Sequence, residues 1–348
     1  MVSFSVPARY AQRVRQPEGN QLKVMLIPAP GRPEVLRLVE KADPEPGAGD
    51  VTIDVAYAGV GLVDAIFRRG DLPFPMPLVP GIEVSGHIRA VGASAGDLRP
   101  GQPVAALLND FVNLPGCGGY AQIARARAAL TIPLPDGCDL ADAASILVNG
   151  TTAWMALRDV ARVKQGEKIL VLGATGGLGG SIGQIARKTP AAEIIGMVGS
   201  AATRKAAETL RYDRAISADD LAQALSSLGA IDVVFDTVGG EPRRLAFKHL
   251  APLGRLVILG NAIGKDESFS GDQIWLGSKT VSGLSVGGIA HIAPALIASA
   301  ARDVLGWAAS GAIDAKPRRI LPLEQAADAH RLLEARELAG KIVLSVRH

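Results

Sequence analysis

The sequence predicts an α/β chain in two parts, a β-rich region and a doubly wound parallel sheet of six strands. Three observations carry this reading. Residues 23–145 hold short alternating strands broken by Pro and Gly turns. Residues 146–286 alternate strands with helical patterns. At residues 170–184 the chain reads Leu-Val-Leu-Gly-Ala-Thr-Gly-Gly-Leu-Gly-Gly-Ser-Ile-Gly-Gln, a buried strand, a glycine turn and the start of a helix. A length of 348 residues suggests two domains, and 48% hydrophobic with 20% charged residues supports sizeable cores.

Residues 1–22 read as an extension separate from the fold. Arg9, Arg13 and Arg15 precede the first acid, Glu18, and no apolar core is long enough for a secretory signal. A transit peptide fits a basic, acid-poor start, but a loosely docked extension is the favoured reading. Strands are then expected at 23–27, 51–57, 84–91 and 102–108, by alternation. The parallel sheet is expected to take 168–172, 193–198, 214–216, 231–236, 255–259 and 280–284. An amphipathic helix follows at 294–309, with Leu296, Ala300, Val304 and Ala308 on one face. A helix near 323–336 and a strand at 341–346 close the chain, and this tail, 287–348, is expected to rejoin the first domain.

The glycine turn is the main functional signal. Gly173, Gly176, Gly177, Gly179 and Gly180 leave room for backbone N–H groups to approach a diphosphate at a helix N-terminus. The strict G-x-G-x-x-G fingerprint is broken at its first position, Ala174, while Gly176 and Gly179 hold the other two. A purely structural strand–helix turn is the alternative reading, and the βαβ unit completed at 193–198 weighs against it. An NAD site expects an acid about 20 residues past the glycines for the ribose hydroxyls. Here Ser200, Arg204 and Lys205 stand there instead. A hydroxyl and two cations suit a 2′-phosphate, which favours NADPH, although basic residues on a helix surface give the plain alternative.

Several function classes are excluded at this stage. A net charge of +3 gives no nucleic-acid footprint. No run of about 18 apolar residues predicts a membrane span. Cys117 and Cys138 make no disulfide framework, so a reducing cytoplasm is expected.

Several segments in order resemble one family: Gly31–Leu38 (GRPEVLRL), Pro44–Gly47 (PEPG), Ala58–Asp64 (AGVGLVD), Arg68–Gly70 (RRG) and Pro80–Gly86 (PGIEVSG). Asn149–Trp154 (NGTTAW), the glycine turn, Asp232–Gly240 (DVVFDTVGG) and Gly340–Leu344 (GKIVL) follow. Over residues 23–346 the chain resembles the medium-chain dehydrogenase/reductase superfamily, in its zinc-independent quinone oxidoreductase branch. The resemblance implies a GroES-like β-rich domain at 23–145 and 287–348, and a Rossmann NADP-binding domain at 146–286. It also implies a cleft between the two and a homodimer or homotetramer.

The resemblance also sets the chemistry expected. Zinc relatives hold their metal with a Cys at the position of Gly61 and a His at the position of Ile82; neither ligand is present, nor is a four-cysteine lobe. His87 reads as a half-buried strand residue, and His249, His291, His330 and His348 show no metal spacing. No metal is therefore expected. NADPH would pass a hydride to an electron-poor acceptor, a quinone or conjugated enone, with a few hydrogen-bond donors sufficing. Quinone reductases usually carry Asn at the position of Gly61 and Tyr at that of Ile66, so the pocket here is expected to be more apolar. Asp64, retained, is the catalytic candidate; it either lies near the cofactor or caps the helix at 65–69. Tyr57 and Tyr120 are possible donors, with a satisfied core Tyr favoured for each.

Cofactor contacts are expected at the carboxyl ends of the parallel strands. Thr175, Gly176, Gly177, Leu178, Gly179, Ser200, Arg204, Lys205, Thr237, Val238, Gly260, Asn261, Ala262 and Ser285 fall there, and Asn149 and Thr152 match a family segment near the nicotinamide. Asp236 reads equally as a cap of the next turn and Asn261 as a turn residue. Lys341 is read as a surface lysine. Two functions remain open: a reductase of quinones or enones, and a weakly catalytic NADPH-binding structural or regulatory protein.

Overall fold

A computed structural model describes residues 21–72, 74–108, 110, 118–199, 207, 209–336 and 338–346. A two-stranded ribbon opens it, β1 (Gln21–Leu26) antiparallel to β2 (Arg37–Ala42). The strands β3 (Asp50–Val60), β4 (Glu83–Val91), β5 (Pro103–Leu107), β6 (Ile123–Arg127) and β7 (Thr131–Pro133) build the first sheet. The second sheet is β8 (Lys168–Leu172), β9 (Glu193–Val198), β10 (Arg214–Ser217), β11 (Ile231–Asp236), β12 (Leu250–Ile258) and β13 (Thr280–Gly283). Near the chain's end, β14 (Arg319–Pro322) and β15 (Ile342–Ser345) return to the first sheet, where β15 runs antiparallel to β3.

The second sheet is parallel throughout, in the order β10-β9-β8-β11-β12-β13. Its sequence explains it. Ile169 and Val171 of β8 pack into one core, Leu170 and Leu172 into another. Val233 and Phe235 of β11 divide from Val234 in the same way. Alternate side chains point to opposite faces, so apolar residues at every position demand a cover on both. Chain order reverses between β8 and β11, and the crevice at that switch point is where such sheets bind ligands.

Helix α1 (Leu62–Arg69) follows β3 and ends at Gly70, whose φ of 79° suits the left-handed cap. Helix α2 (Leu140–Met155) starts at Asp139, which accepts from Ala141 N at 2.7 Å. It continues into a π-helical turn, Ala156–Ala161, stopped by Arg162 at φ 51°. α2 lies between the two sheets, with Ile146 and Leu147 buried at its centre. Helix α3 (Gly177–Ala186) follows the glycine turn.

Four sequence expectations need correction. The helix Pro294–Ala309 forms with Ala300 and Val304 buried and Ala308 packed on the core as expected, but Leu296 is 42% exposed and Ile297, Ala301 and Leu305 join the buried face instead. Val304 packs against α2 at Gly150, where a Cβ would lie 2.5 Å from its Cγ1. His87 is exposed, not half-buried, because β4 turns it to the open face opposite Asp54. The helix expected near 323–336 divides into a 3-10 turn, Leu323–Gln325, and a helix Ala326–Ala335. β12 also starts earlier than 255, through an irregular stretch in which Leu253 has φ 67°. Among the described residues no helix is long and apolar enough to cross a membrane.

Candidate dinucleotide-binding site

The glycine turn follows β8 at the switch point. Gly173 takes φ 84°, and its N–H and that of Ala174 both donate to Met197 O at the end of β9, at 3.1 and 2.9 Å. Ala174, in place of the first fingerprint glycine, is sealed under β9, where the missing side chain of Gly196 makes the room: a Cβ there would lie 2.7 Å from the Ala174 methyl. Gly179 brings α3 onto the turn, since a Cβ on it would lie 2.1 Å from Gly173 O. The Tyr212 hydroxyl donates to Gly179 O at 2.6 Å and fixes that approach from behind. Gly176 faces the other way. It is exposed, and a Cβ there would meet only Gly173 O, at 3.6 Å. The first N–H groups of α3 have no partner within the helix, and its dipole favours an anion at that end.

The second rim comes from β11 and β12. Asp236 is wholly buried and its Oδ1 accepts from Val238 N at 2.8 Å and Gly239 N at 3.0 Å, while Oδ2 takes the Arg243 guanidinium. Of its two sequence readings the geometry therefore gives the cap. Arg243 also donates to Gly260 O at 2.8 Å, which ties the β12 exit to the β11 exit. Thr237 Oγ1 donates to Leu172 O at 2.8 Å, and Ala262 N to Thr237 O at 3.1 Å. These bonds gather Thr237, Val238, Gly260, Asn261 and Ala262 into one wall beside the glycine turn. Asn261 Oδ1 is buried there without a partner. A buried acceptor left unsatisfied is costly, and a ligand donor at this wall offsets that. Ser285 lies farther along the sheet edge, where its hydroxyl caps the short helix Val286–Ile289 through Gly288 N. Ser200, Arg204 and Lys205 lie outside the described residues.

A third wall belongs to the first sheet and α2. The Asn149 amide lies against Gly177, with Nδ2 2.5 Å from where a Cβ would stand, and Thr152 is one turn along the same helix. Lys341 is buried, not a surface residue: it is 8% exposed and its Nζ donates to Glu83 Oε1 at 2.5 Å. Glu83 Oε2 takes Val148 N at 2.7 Å. Gly340 N donates to Thr175 O at 3.0 Å, so the final segment is stitched to the glycine turn itself. Arg336 makes a second stitch, to Ala262 O at 2.6 Å. Sequence reasoning missed Glu83 and Lys341. The Gly340-Lys341 pair was visible, but nothing local tells a buried lysine from an exposed one.

Asp64 lies behind this wall. It is wholly buried, and accepts from Gly61 N at 2.9 Å and Gly81 N at 2.8 Å, which caps α1 and ties two loops together. Of its two sequence readings the geometry favours the cap. Burial pushes its pKa up to about 6, against the lowering by the two N–H groups and Lys341. Tyr120, also fully buried, has its hydroxyl 3.3 Å from His330 Nε2. It is the satisfied core residue its sequence suggested. Burial and the nearby Arg68 and Arg69 hold His330 neutral, its pKa down to about 3. Gly61 supplies no side chain, and Ile82 packs into the core of the first sheet. Among the described residues no three His, Cys, Asp or Glu side chains are placed so that they could hold a metal ion.

These walls fit a dinucleotide: a Cβ-free cradle open at Gly176, unpaired helix N–H groups, and a partnerless buried amide oxygen. They define a two-domain nicotinamide-type oxidoreductase fold. Comparison with known families agrees. Residues 47–136 match the alcohol dehydrogenase GroES-like domain, and residues 177–302 match the zinc-binding dehydrogenase family. A quinone oxidoreductase of Pseudomonas aeruginosa is 30% identical over 325 residues, 90% of this chain and 96% of that protein. The human synaptic vesicle membrane protein VAT-1 homolog-like is 28% identical over 259 residues, 72% of this chain. The match spans 60% of that relative, less than two thirds of its length. Among solved structures, the Escherichia coli quinone oxidoreductase complexed with NADPH superposes with a TM-score of 0.84 at 25% identity, covering 94% of this chain and 99% of that one. The chain belongs to the medium-chain dehydrogenase/reductase family, as a quinone oxidoreductase-like member.

Proposed function

We propose that this chain is an NADPH-dependent oxidoreductase that reduces a quinone or another conjugated carbonyl without a catalytic metal. The observation that carries it is the glycine turn at the β8–β11 switch point, walled by Asn149 and by the Thr237 and Asn261 segments. A nicotinamide dinucleotide bound there supplies a hydride. The chain's own residues bind and orient it: the first turn of α3 receives the diphosphate, and the Thr237–Ala262 wall supports the ribose and nicotinamide. Ser200, Arg204 and Lys205 provide the 2′-phosphate selectivity. Metal independence rests on Gly61 and Ile82, which offer no ligand atoms where zinc relatives carry theirs. An acceptor that is already electron-poor needs little polarisation, which suits a site with few side-chain donors.

The test is NADPH oxidation with phenanthrenequinone, with NADH as control and after dialysis against a chelator. Rapid, chelator-insensitive, NADPH-selective turnover is expected. Tight NADPH binding without turnover of the quinone would replace the quinone reading with that of an enone-specific reductase or a non-catalytic binder. A homodimer through β13 belongs to the same proposal. β13 is the end strand of its sheet, and the exposed apolar side chains of Leu253, Trp275 and Leu276 lie on this side of the molecule. An open strand edge beside apolar surface favours pairing with a second copy. Sedimentation at the monomer mass would overturn it.

A further inference from the structure

Arg243 lies near the start of the helix Gly240–Lys248 with its side chain only 2% exposed. Its guanidinium meets three acceptors. Nε donates to Asp236, Nη2 to Gly260 O at 2.8 Å and Nη1 to Asp266. A rigid planar fork of donors suits three acceptors fixed in this way. Wholly buried Asp236 by itself neutralises the cation. Asp266 is a different kind of partner: its side chain is 82% exposed, and it adds a second negative charge to a pair already balanced. Burying Arg243 does not require it, and an exposed carboxylate contributes little to stability.

Asp266 instead ties down a stretch of backbone. The loop 260–266 begins at Gly260, held by Nη2, and ends at Asp266, held by Nη1. Within it, Ala262 N and Ile263 N donate to Thr237 O and Val238 O, each at 3.1 Å, and Lys265 O accepts from Gly240 N at 2.8 Å. Glu267 N donates to Asp266 Oδ1 at 2.9 Å and orients that carboxylate. The loop encloses Asn261. Its Oδ1 stands 2.2 Å from where a Cβ on Gly239 would lie, so the amide is seated on bare backbone, and that oxygen is buried without a partner. An acceptor of this kind gains from a ligand donor only if the loop holds it in place.

We propose that the Arg243–Asp266 pair is a positioning device of the dinucleotide site, which clamps the loop 260–266 so that Asn261 meets the bound dinucleotide. This rests on the dinucleotide-binding reading of the glycine turn. The effect is the same for NADPH and NADH, since the clamp lies apart from the 2′-phosphate side of the site.

The experiment compares the native chain with Asp266→Ala, Asn261→Ala, the double variant and the control Glu241→Ala. The control also removes one exposed carboxylate from the start of the same helix, but its partner is Arg244 and not the loop. Each chain is unfolded in urea and titrated with NADPH and NADH, read from tryptophan fluorescence. Asp266→Ala moves the urea midpoint no further than Glu241→Ala does, yet binds both dinucleotides roughly threefold more weakly, the scale of an exposed ion pair. Asn261→Ala weakens binding roughly tenfold. The double variant binds no more weakly than Asn261→Ala alone, because the clamp acts through Asn261. Native affinity in Asp266→Ala or in Asn261→Ala overturns the proposal, as do losses that add in full in the double variant. In each of these outcomes the native chain still binds, and the functional reading stands. Failure of the native chain to bind either dinucleotide overturns both.

Discussion

Replacing Gly179 and Gly176 separately by Ala divides the glycine turn into a packing half and a binding half. The methyl of Gly179→Ala would stand 2.1 Å from Gly173 O, 2.8 Å from Gly173 C and 3.0 Å from Ala174 Cα. All three are backbone atoms, and the turn cannot give way easily. Gly173 and Ala174 are bonded to the end of β9, and Gly173 O also accepts from Gly176 N at 3.2 Å. Overpacking costs about 1–3 kcal/mol, and contact with fixed backbone puts this site at the upper end. Ala recovers about 1 kcal/mol of helix propensity over Gly, so the net loss is about 2 kcal/mol. Gly176→Ala differs. Its φ of −70° and ψ of 167° suit any residue, and its methyl meets only an oxygen at 3.6 Å. The weaker helix cap should cost under about 1 kcal/mol. Its methyl fills the open side of the cradle, so dinucleotide affinity should fall about tenfold or more. Urea unfolding and fluorescence titration read the two effects separately. Native affinity in Gly176→Ala, or a native urea midpoint in Gly179→Ala, would refute the reasoning.

Other expectations follow from the same geometry. Arg243→Met removes the cation from wholly buried Asp236 and the donor to Gly260 O, and should cost about 3 kcal/mol in urea unfolding; a loss under about 1 kcal/mol would show that the two N–H bonds to Asp236 suffice. Asp64 has its folded pKa raised to about 6, chiefly by burial. Its stabilising contribution is therefore full below pH 4 and falls as pH rises to about 6. Gly61 and Gly81 N–H, Lys341, Glu83 and Tyr120 are the groups that face it. The stability difference between the native chain and Asp64→Asn should shrink over that window, and a flat difference would place the Asp64 pKa elsewhere. Arg204→Ala should weaken NADPH binding far more than NADH binding; equal loss for both would end its 2′-phosphate role.

Much of the architecture was legible because it is written locally. The segments 168–172, 193–198 and 231–236 match β8, β9 and β11 end for end, since strands buried on both faces read as near-continuous apolar runs with their charged residues at or next to the ends. The glycine turn was legible for a similar reason: close approach of backbone to backbone needs Gly whatever the rest of the chain does. The helix at 294–309 was placed correctly, and of its expected face Leu296 alone lies exposed. Periodicity gives several overlapping apolar stripes on an Ala-rich helix, and tertiary packing decides that Ile297 and not Leu296 is buried.

The sequence by itself determined the two sheets, the switch point and the turn, because strand alternation, buried runs and glycine spacing are short-range signals. The tertiary structure decided which charges are buried and what they face. Lys341 looks like any surface lysine until β15 lays it beside Glu83 and Gly177, and Asp64 looks like a site residue until its carboxylate is seen bonded to Gly61 and Gly81. Burial of a charge depends on partners far along the chain, and no pattern of neighbours in sequence carries that information.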